Sequence, residues 1–224
     1  MSLSSPPLCP PFYYKGVRFM PFADRRAVEL VESFEVRKDD VFVSAYQKSG
    51  KAQIIYCARN VKDVIVSFHN MRAAAEGLPT GTFDENFQEF INPEQAYFGF
   101  WWDVVPEYWR HKDDDNLLFI KYEDMKRDLR GHVVKIANFL GKTLSDQRID
   151  EVVANCTFSA MKENPATNVT KNPIFKQRGA KDFEFMRKGE VGDWKNWLSP
   201  EQNETLDAIY REKMKGVDLT FEFE

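Results

Sequence analysis

The residues with the clearest chemical signature are those suited to holding an anion. Residues 45–50, "AYQKSG", place a Lys-Ser-Gly turn behind an apolar run, and such a turn can present backbone N–H groups and one ammonium to a phosphate. Lys48, Ser49 and Gly50 are its candidate binding residues. Alone, this tripeptide is an ordinary exposed turn. Two further segments support it. In "ARNVKDVIVSF", residues 58–68, Arg59 stands just past a strand end and Ser67 two turns into the following helix, so both can reach one anion. In "FMRKGEVGDW", residues 185–194, Arg187, Lys188 and the backbone of Gly189 form a basic loop.

The elements that must position these groups alternate along the chain. "DRRAVELVESF" spaces Ala27, Leu30, Val31 and Phe34 as one helical face, and the apolar run "VFVSAY" follows. "QIIYCA" and "NLLFIKY" are further short strands, each leading into a helical pattern, "VKDVIVSFHNM" and "LRGHVVKIANFL". This order predicts an α/β fold with a mostly parallel sheet. Further helices are expected at "PEQAYFGFWWDVVPEYWRH", residues 93–111, and at "SPEQNETLDAIYREKMK", capped by Ser199. Residues 165–193, with Pro165, Pro173, Gly179 and Gly189, read as a long irregular loop, of the kind that covers a ligand. The Pro-rich start reads as an arm on the surface or over a site.

Size and charge limit the function classes. The 224 residues, 43% hydrophobic, can bury the core of one large domain, taken as residues 1–224. Against 31 Lys and Arg stand 35 Asp and Glu, net −4, so there is no overall positive field for nucleic acid and an anion must be held locally. Cys9, Cys57 and Cys156 lie far apart, without metal-ligand or disulfide spacing. The start lacks an apolar signal core, and nowhere do roughly 18 apolar residues run together as a membrane span requires. A cytoplasmic protein with no membrane association is expected.

The segments "FYYKGV", "QIIYCARNVKDVIVSF", "FIKYEDMKRD", "MKENPATN" and "FMRKGEVGDWKNW", in this order, resemble the cytosolic sulfotransferases. These enzymes move a sulfuryl group from 3′-phosphoadenosine 5′-phosphosulfate (PAPS) to small hydroxyl or amine compounds, leaving adenosine 3′,5′-bisphosphate (PAP). The resemblance implies a three-layer α/β domain with a P-loop-like phosphate turn. It implies that Lys48 contacts the 5′-phosphate and its sulfate and is catalytic, with Ser49 and Gly50 beside it. Arg59 and Ser67 would hold the 3′-phosphate, Arg187, Lys188 and Gly189 would complete that clamp, Tyr122 would touch the adenine and Phe158 would stack on it. No metal is implied. Each residue also has an ordinary reading: Tyr122 and Phe158 as core aromatics, Ser67 bonding its own helix, Arg187 and Lys188 as a solvated turn. A P-loop NTPase fits less well, because "YQKSG" lacks the spaced glycine and the Gly-Lys-Ser/Thr order.

The resemblance also marks a departure. Relatives continue the phosphate turn as T-Y-P-K-S-G-T-T-W into a helix, and reach the strand like "QIIYCARN" only several dozen residues later; here Lys51 follows Gly50 directly, and Gln47 stands for the proline. The intervening helix, acceptor-pocket wall and K-x-H segment with the catalytic histidine are absent, and His69, His111 and His132 do not replace it by position. Parallel neighbours normally need a crossover of about a dozen residues, so a break between Gly50 and Lys51 is expected, with the ends well over ~10 Å apart. A true deletion would instead leave a non-catalytic PAPS- or PAP-binding protein. Phe12, Tyr13 and Phe22 offer an aromatic wall for a phenol or flat alcohol, or are simply core. The family's dimer segment resembles K-x-x-x-T-V-x-x-x-E; "KNWLSPEQNE" keeps Lys195 and Glu204 but has Ser199 and Pro200 for Thr and Val, so a monomer or weak homodimer is expected.

Overall fold

The computed structural model describes residues 12–14, 17–19, 41–44, 53–74, 81–92, 99–171 and 186–224. The helix expected at 24–34, the turn with Lys48, Ser49 and Gly50, the Gly50–Lys51 junction, Phe22 and much of the loop at 165–193 lie outside the described residues.

Strands β1 (Phe12–Tyr14) and β2 (Val17–Phe19) pair antiparallel, with Tyr14 opposite Val17. Strands β3 (Val41–Ser44), β4 (Gln53–Ala58) and β5 (Leu117–Lys121) form a parallel sheet in that spatial order, Val41 beside Gln53 and Ile54 beside Leu117. Each of these strands lies within one of the three expected apolar runs. Residues 45–52 are all that separates Ser44 from Gln53, a shorter return than the dozen or so expected between parallel neighbours. Because β3 is only four residues long, eight residues, spanning up to roughly 26–29 Å when extended, suffice in length to return to its starting level.

The sheet's alternation builds two cores. Ile54, Tyr56, Ala58, Leu117 and Phe119 face one side, against Val61 and Ile65 of α1 (Val61–Ala74), Trp101, Trp102 and Val105 of α3 (Trp101–Arg110), and Leu206 of α8 (Pro200–Lys213). On this side Tyr56 and Tyr108 stack with ring centroids 3.8 Å apart. Ile55, Leu118 and Ile120 face the other side, against Met125 of α4 (Tyr122–Arg127) and Ile136 and Phe139 of α5 (Leu129–Phe139). Both faces are covered, which is why β4 and β5 read as near-continuous apolar runs. The α/β, three-layer expectation holds.

Helix α2 (Phe83–Ile91) starts at a capping box in which the Thr82 hydroxyl accepts from the Glu85 N–H and Glu85 reaches back. Helices α6 (Asp146–Asn155) and α7 (Phe158–Glu163) begin at Ser145 and Thr157 caps. Ser199 caps α8 as expected, with Pro200 in its first turn. Of the helix expected over 93–111, Trp101–Arg110 is helical, and it does not run back through Phe100, which is extended, or Gly99, which is left-handed at φ +85°. A short 3₁₀ turn at Val169–Lys171 interrupts the region read as irregular loop, and another, Asp193–Asn196, starts at its last residue.

Candidate anion-binding site

Two residues after β4 the chain enters α1, and the turn is fixed by polar side chains. Asn60 Oδ1 accepts from the Asp63 N–H at 2.8 Å, an N-cap that leaves the positive end of a 14-residue helix beside Arg59. The Asn60 N–H and Nδ2 donate to Glu123 Oε1 at 2.8 and 3.0 Å, joining the end of β4 to the end of β5. Asp63, with a side chain only 1% exposed, accepts from Asn60 Nδ2 at 3.0 Å, the Gly192 N–H at 2.9 Å and the Trp194 N–H at 3.1 Å. One buried carboxylate thus ties α1 to a loop 129 residues further along.

Over this frame lies a cavity of about 330 Å³. Arg59, Ser67, Tyr122, Phe158, Arg187, Lys188 and Gly189 all line it, so every expected nucleotide-contacting residue among those described comes to one place. Arg59 Nη2 donates to the Glu190 carbonyl at 2.7 Å and pairs with Asp63 Oδ2 at 3.3 Å, while its guanidinium lies 4.4 Å over the Tyr122 ring. Its Nε is buried without a hydrogen-bond partner among the described residues. Ser67 is exposed to the cavity rather than bonded to its own helix. Arg187 Nη2 and Lys188 Nζ both donate to Asp193. Gly189 turns left-handed at φ +66°, and a Cβ there would meet the Phe158 ring.

Sequence reasoning missed the carboxylates. Asp63, Glu190 and Asp193 share the cavity wall with the three cations, and Met71, Met161 and Met186 line it too. Burial opposes ionisation of Asp193, yet hydrogen bonds from Lys188, Asn196 and Arg187 outweigh it and hold the carboxyl at about 2. Burial pushes the Glu123 carboxyl up, against the hydrogen bonds from Asn60, and its Oε2 has no partner among the described residues. Burial and the Glu123 charge push the Cys57 thiol up to about 11, so it is no nucleophile at neutral pH. The histidines sit as expected. His69 Nδ1 meets Asn86 Nδ2 at 2.9 Å and its ring packs on Phe83 and Trp197, His111 bonds Asp114 at a helix end, and His132 Nδ1 meets the Asp128 carbonyl. None of them lines the cavity.

The sulfotransferase domain family matches residues 44–218. The chain belongs to the sulfotransferase family. It is 40% identical over 176 residues to sulfotransferase 1C2 of Rattus norvegicus, covering 77% of this chain and 58% of that protein. It is equally identical, over 176 residues, to the amine sulfotransferase of Oryctolagus cuniculus, covering 78% and 58%. The chain therefore spans less than three fifths of the length of these relatives. Its fold resembles the crystal structure of mouse sulfotransferase SULT7A1 complexed with PAP, with TM-score 0.78 and 26% identity over 93% of this chain and 95% of that one. It also resembles retinol dehydratase in a complex with retinol and PAP, with TM-score 0.67 and 28% identity over 76% and 50%.

The cavity residues fit such a nucleotide. Guanidinium, ammonium and hydroxyl donors stand beside two aromatic rings, and Arg59 Nε has no partner among the described residues.

Proposed function

We propose that the protein binds PAPS and transfers its sulfuryl group to the hydroxyl or amine of a small aromatic or alcoholic acceptor. The observation that carries this reading is the convergence of Arg59, Ser67, Arg187 and Lys188 on one cavity whose wall includes Tyr122 and Phe158. Support comes from the solved relatives that contain PAP, and from one of them, retinol dehydratase, solved with retinol or androsterone. Bound PAPS supplies the activated sulfuryl group. Arg59, Ser67, Arg187 and Lys188 hold the 3′-phosphate, Tyr122 and Phe158 orient the adenine, and Lys48, with Ser49 and Gly50, meets the 5′-phosphate and the sulfate. Phe12, Tyr13 and Phe22 are the residues this reading assigns to the acceptor. The protein acts in the cytoplasm as a monomer or weak homodimer, and the reading assigns no metal.

Calorimetric titration with PAP and with AMP tests the nucleotide part, since AMP lacks the 3′-phosphate. Each charge-assisted hydrogen bond contributes roughly 1.5–3 kcal/mol, so PAP should bind orders of magnitude more tightly, and Arg59→Ala should erase most of the difference. Equal affinities would remove the reading. Transfer from labelled PAPS to a panel of phenols, alcohols and amines tests the catalytic part. A second reading, a nucleotide-binding protein without transferase activity, is favoured by the eight-residue return from Ser44 to Gln53, which stands where the family resemblance implies a helix and the catalytic histidine. Tight PAP binding with no transfer to any acceptor would select it.

A further inference from the structure

Asp193 opens the 3₁₀ turn Asp193–Asn196 behind the cavity, with its side chain 4% exposed. Its carboxylate accepts from four donors: Arg187 Nη2, Lys188 Nζ, Asn196 Nδ2 at 2.9 Å and Trp197 Nε1 at 3.2 Å. That number saturates a carboxylate. The last two donors come from Asp193's own turn and fix the group in place, and the first two come from the basic loop.

We infer that Asp193 is a positioning residue for the 3′-phosphate: it pins Arg187 and Lys188 by one donor each, so that their other donors face the cavity in a fixed arrangement. The inference rests on the cofactor reading above. A guanidinium carries five N–H donors and an ammonium three, so both cations keep donors for a ligand while bonded to Asp193. Without the carboxylate, two adjacent cations, one of them on a long flexible stem, would repel each other and would have to be ordered by the ligand itself. Asp193 is acidic enough to stay ionised throughout the neutral range. The same arrangement recurs at Arg59, whose guanidinium is paired to buried Asp63.

The sign of one substitution separates positioning from simple charge. Asp193→Asn removes a negative charge from the cavity wall, and Coulomb's law alone predicts tighter binding of a phosphate. Positioning predicts the reverse. Calorimetry on the full chain should show PAP affinity reduced about tenfold or more in Asp193→Asn, with AMP affinity within about twofold of wild type, because AMP lacks the group that the pinned cations hold. If Asp193→Asn does not fold, Asp193→Glu keeps the charge and displaces the carboxylate by one methylene; it should lower the ratio. Unchanged or tighter PAP binding in the Asn variant, or an unchanged ratio in the Glu variant, overturns the inference and leaves the cofactor reading standing. A wild-type protein without preference for PAP removes both.

Discussion

A Cβ on Gly189 would lie 2.2 Å from Cδ2 of Phe158 and 2.6 Å from Cε2, so the basic loop touches the aromatic ring through bare backbone. Gly189→Ala must move the ring or the loop, and it also places a side chain at φ +66°. The expected cost is about 1–3 kcal/mol in unfolding free energy and at least about a tenfold loss of PAP affinity. Adding Phe158→Ala should relieve the clash, giving non-additive stabilities in a double-mutant cycle. Strictly additive effects would show that the contact is not the cause.

Arg59 uses geometry as well as charge, through Nη2 on the Glu190 carbonyl, the pair with Asp63 and the face of Tyr122. Arg59→Lys keeps the charge and loses the fork. Most of the preference for PAP over AMP should disappear in this variant, by calorimetry, while its thermal midpoint stays close to wild type. A lysine variant that retained full preference would contradict this.

Asp63 serves stability more than ligation. Replacing it by Ala strands Arg59 and leaves the Gly192 and Trp194 N–H groups without their acceptor. Denaturant unfolding should register a loss of about 3–5 kcal/mol with little change in slope. A loss below about 1 kcal/mol would mean that water substitutes freely for the carboxylate.

Burial, and then the Arg72 charge, hold His69 below its ordinary pKa. As pH falls below about 6.5 the unfolded chain takes up this proton more readily than the folded one. The contribution of His69 is therefore present above that pH and lost as pH falls through the folded value. Melting curves from pH 8 to pH 5 should fall more steeply for wild type than for His69→Gln, and parallel curves would rule this out.

Self-association should be weak. Ser199 and Pro200 are the cap and first residue of α8, so the segment from Pro200 to Glu204 is helical and offers no extended main chain, and Lys195 Nζ pairs with Glu224 at 2.9 Å. Sedimentation should show monomer at low concentration; a dimer persisting at about nanomolar protein would refute it.

What could be read from the residues was what depends on local pattern. The apolar runs "QIIYCA" and "NLLFIKY" became β4 and β5 nearly residue for residue, and Ser199 capped its helix. The cavity cations were visible because strand ends and glycine-containing loops mark ligand sites in parallel sheets. Their carboxylate partners were not, since pairing Asp63 with Gly192 requires knowing how segments 129 residues apart pack. The start of α3 was misjudged because the aromatic run continues through Gly99, whose left-handed backbone ends the pattern. Helices α2 and α6 carried legible signals, Thr82 with Glu85 and the Ser145 cap, that helical periodicity alone did not reveal.

The parallel sheet also implies an order of assembly. Val41 and its partner Gln53 are 12 positions apart in the chain (53 − 41), whereas Ile54 and Leu117 are 63 apart (117 − 54). Closing the longer loop costs about 1.5 kcal/mol more chain entropy. The β3–β4 pair is therefore the inexpensive early step and the docking of β5 the late one. Arg59 follows β4 directly and Tyr122 follows β5, so these two walls of the cavity meet only at that late step. A nucleotide bound between them would slow unfolding far more than it speeds folding.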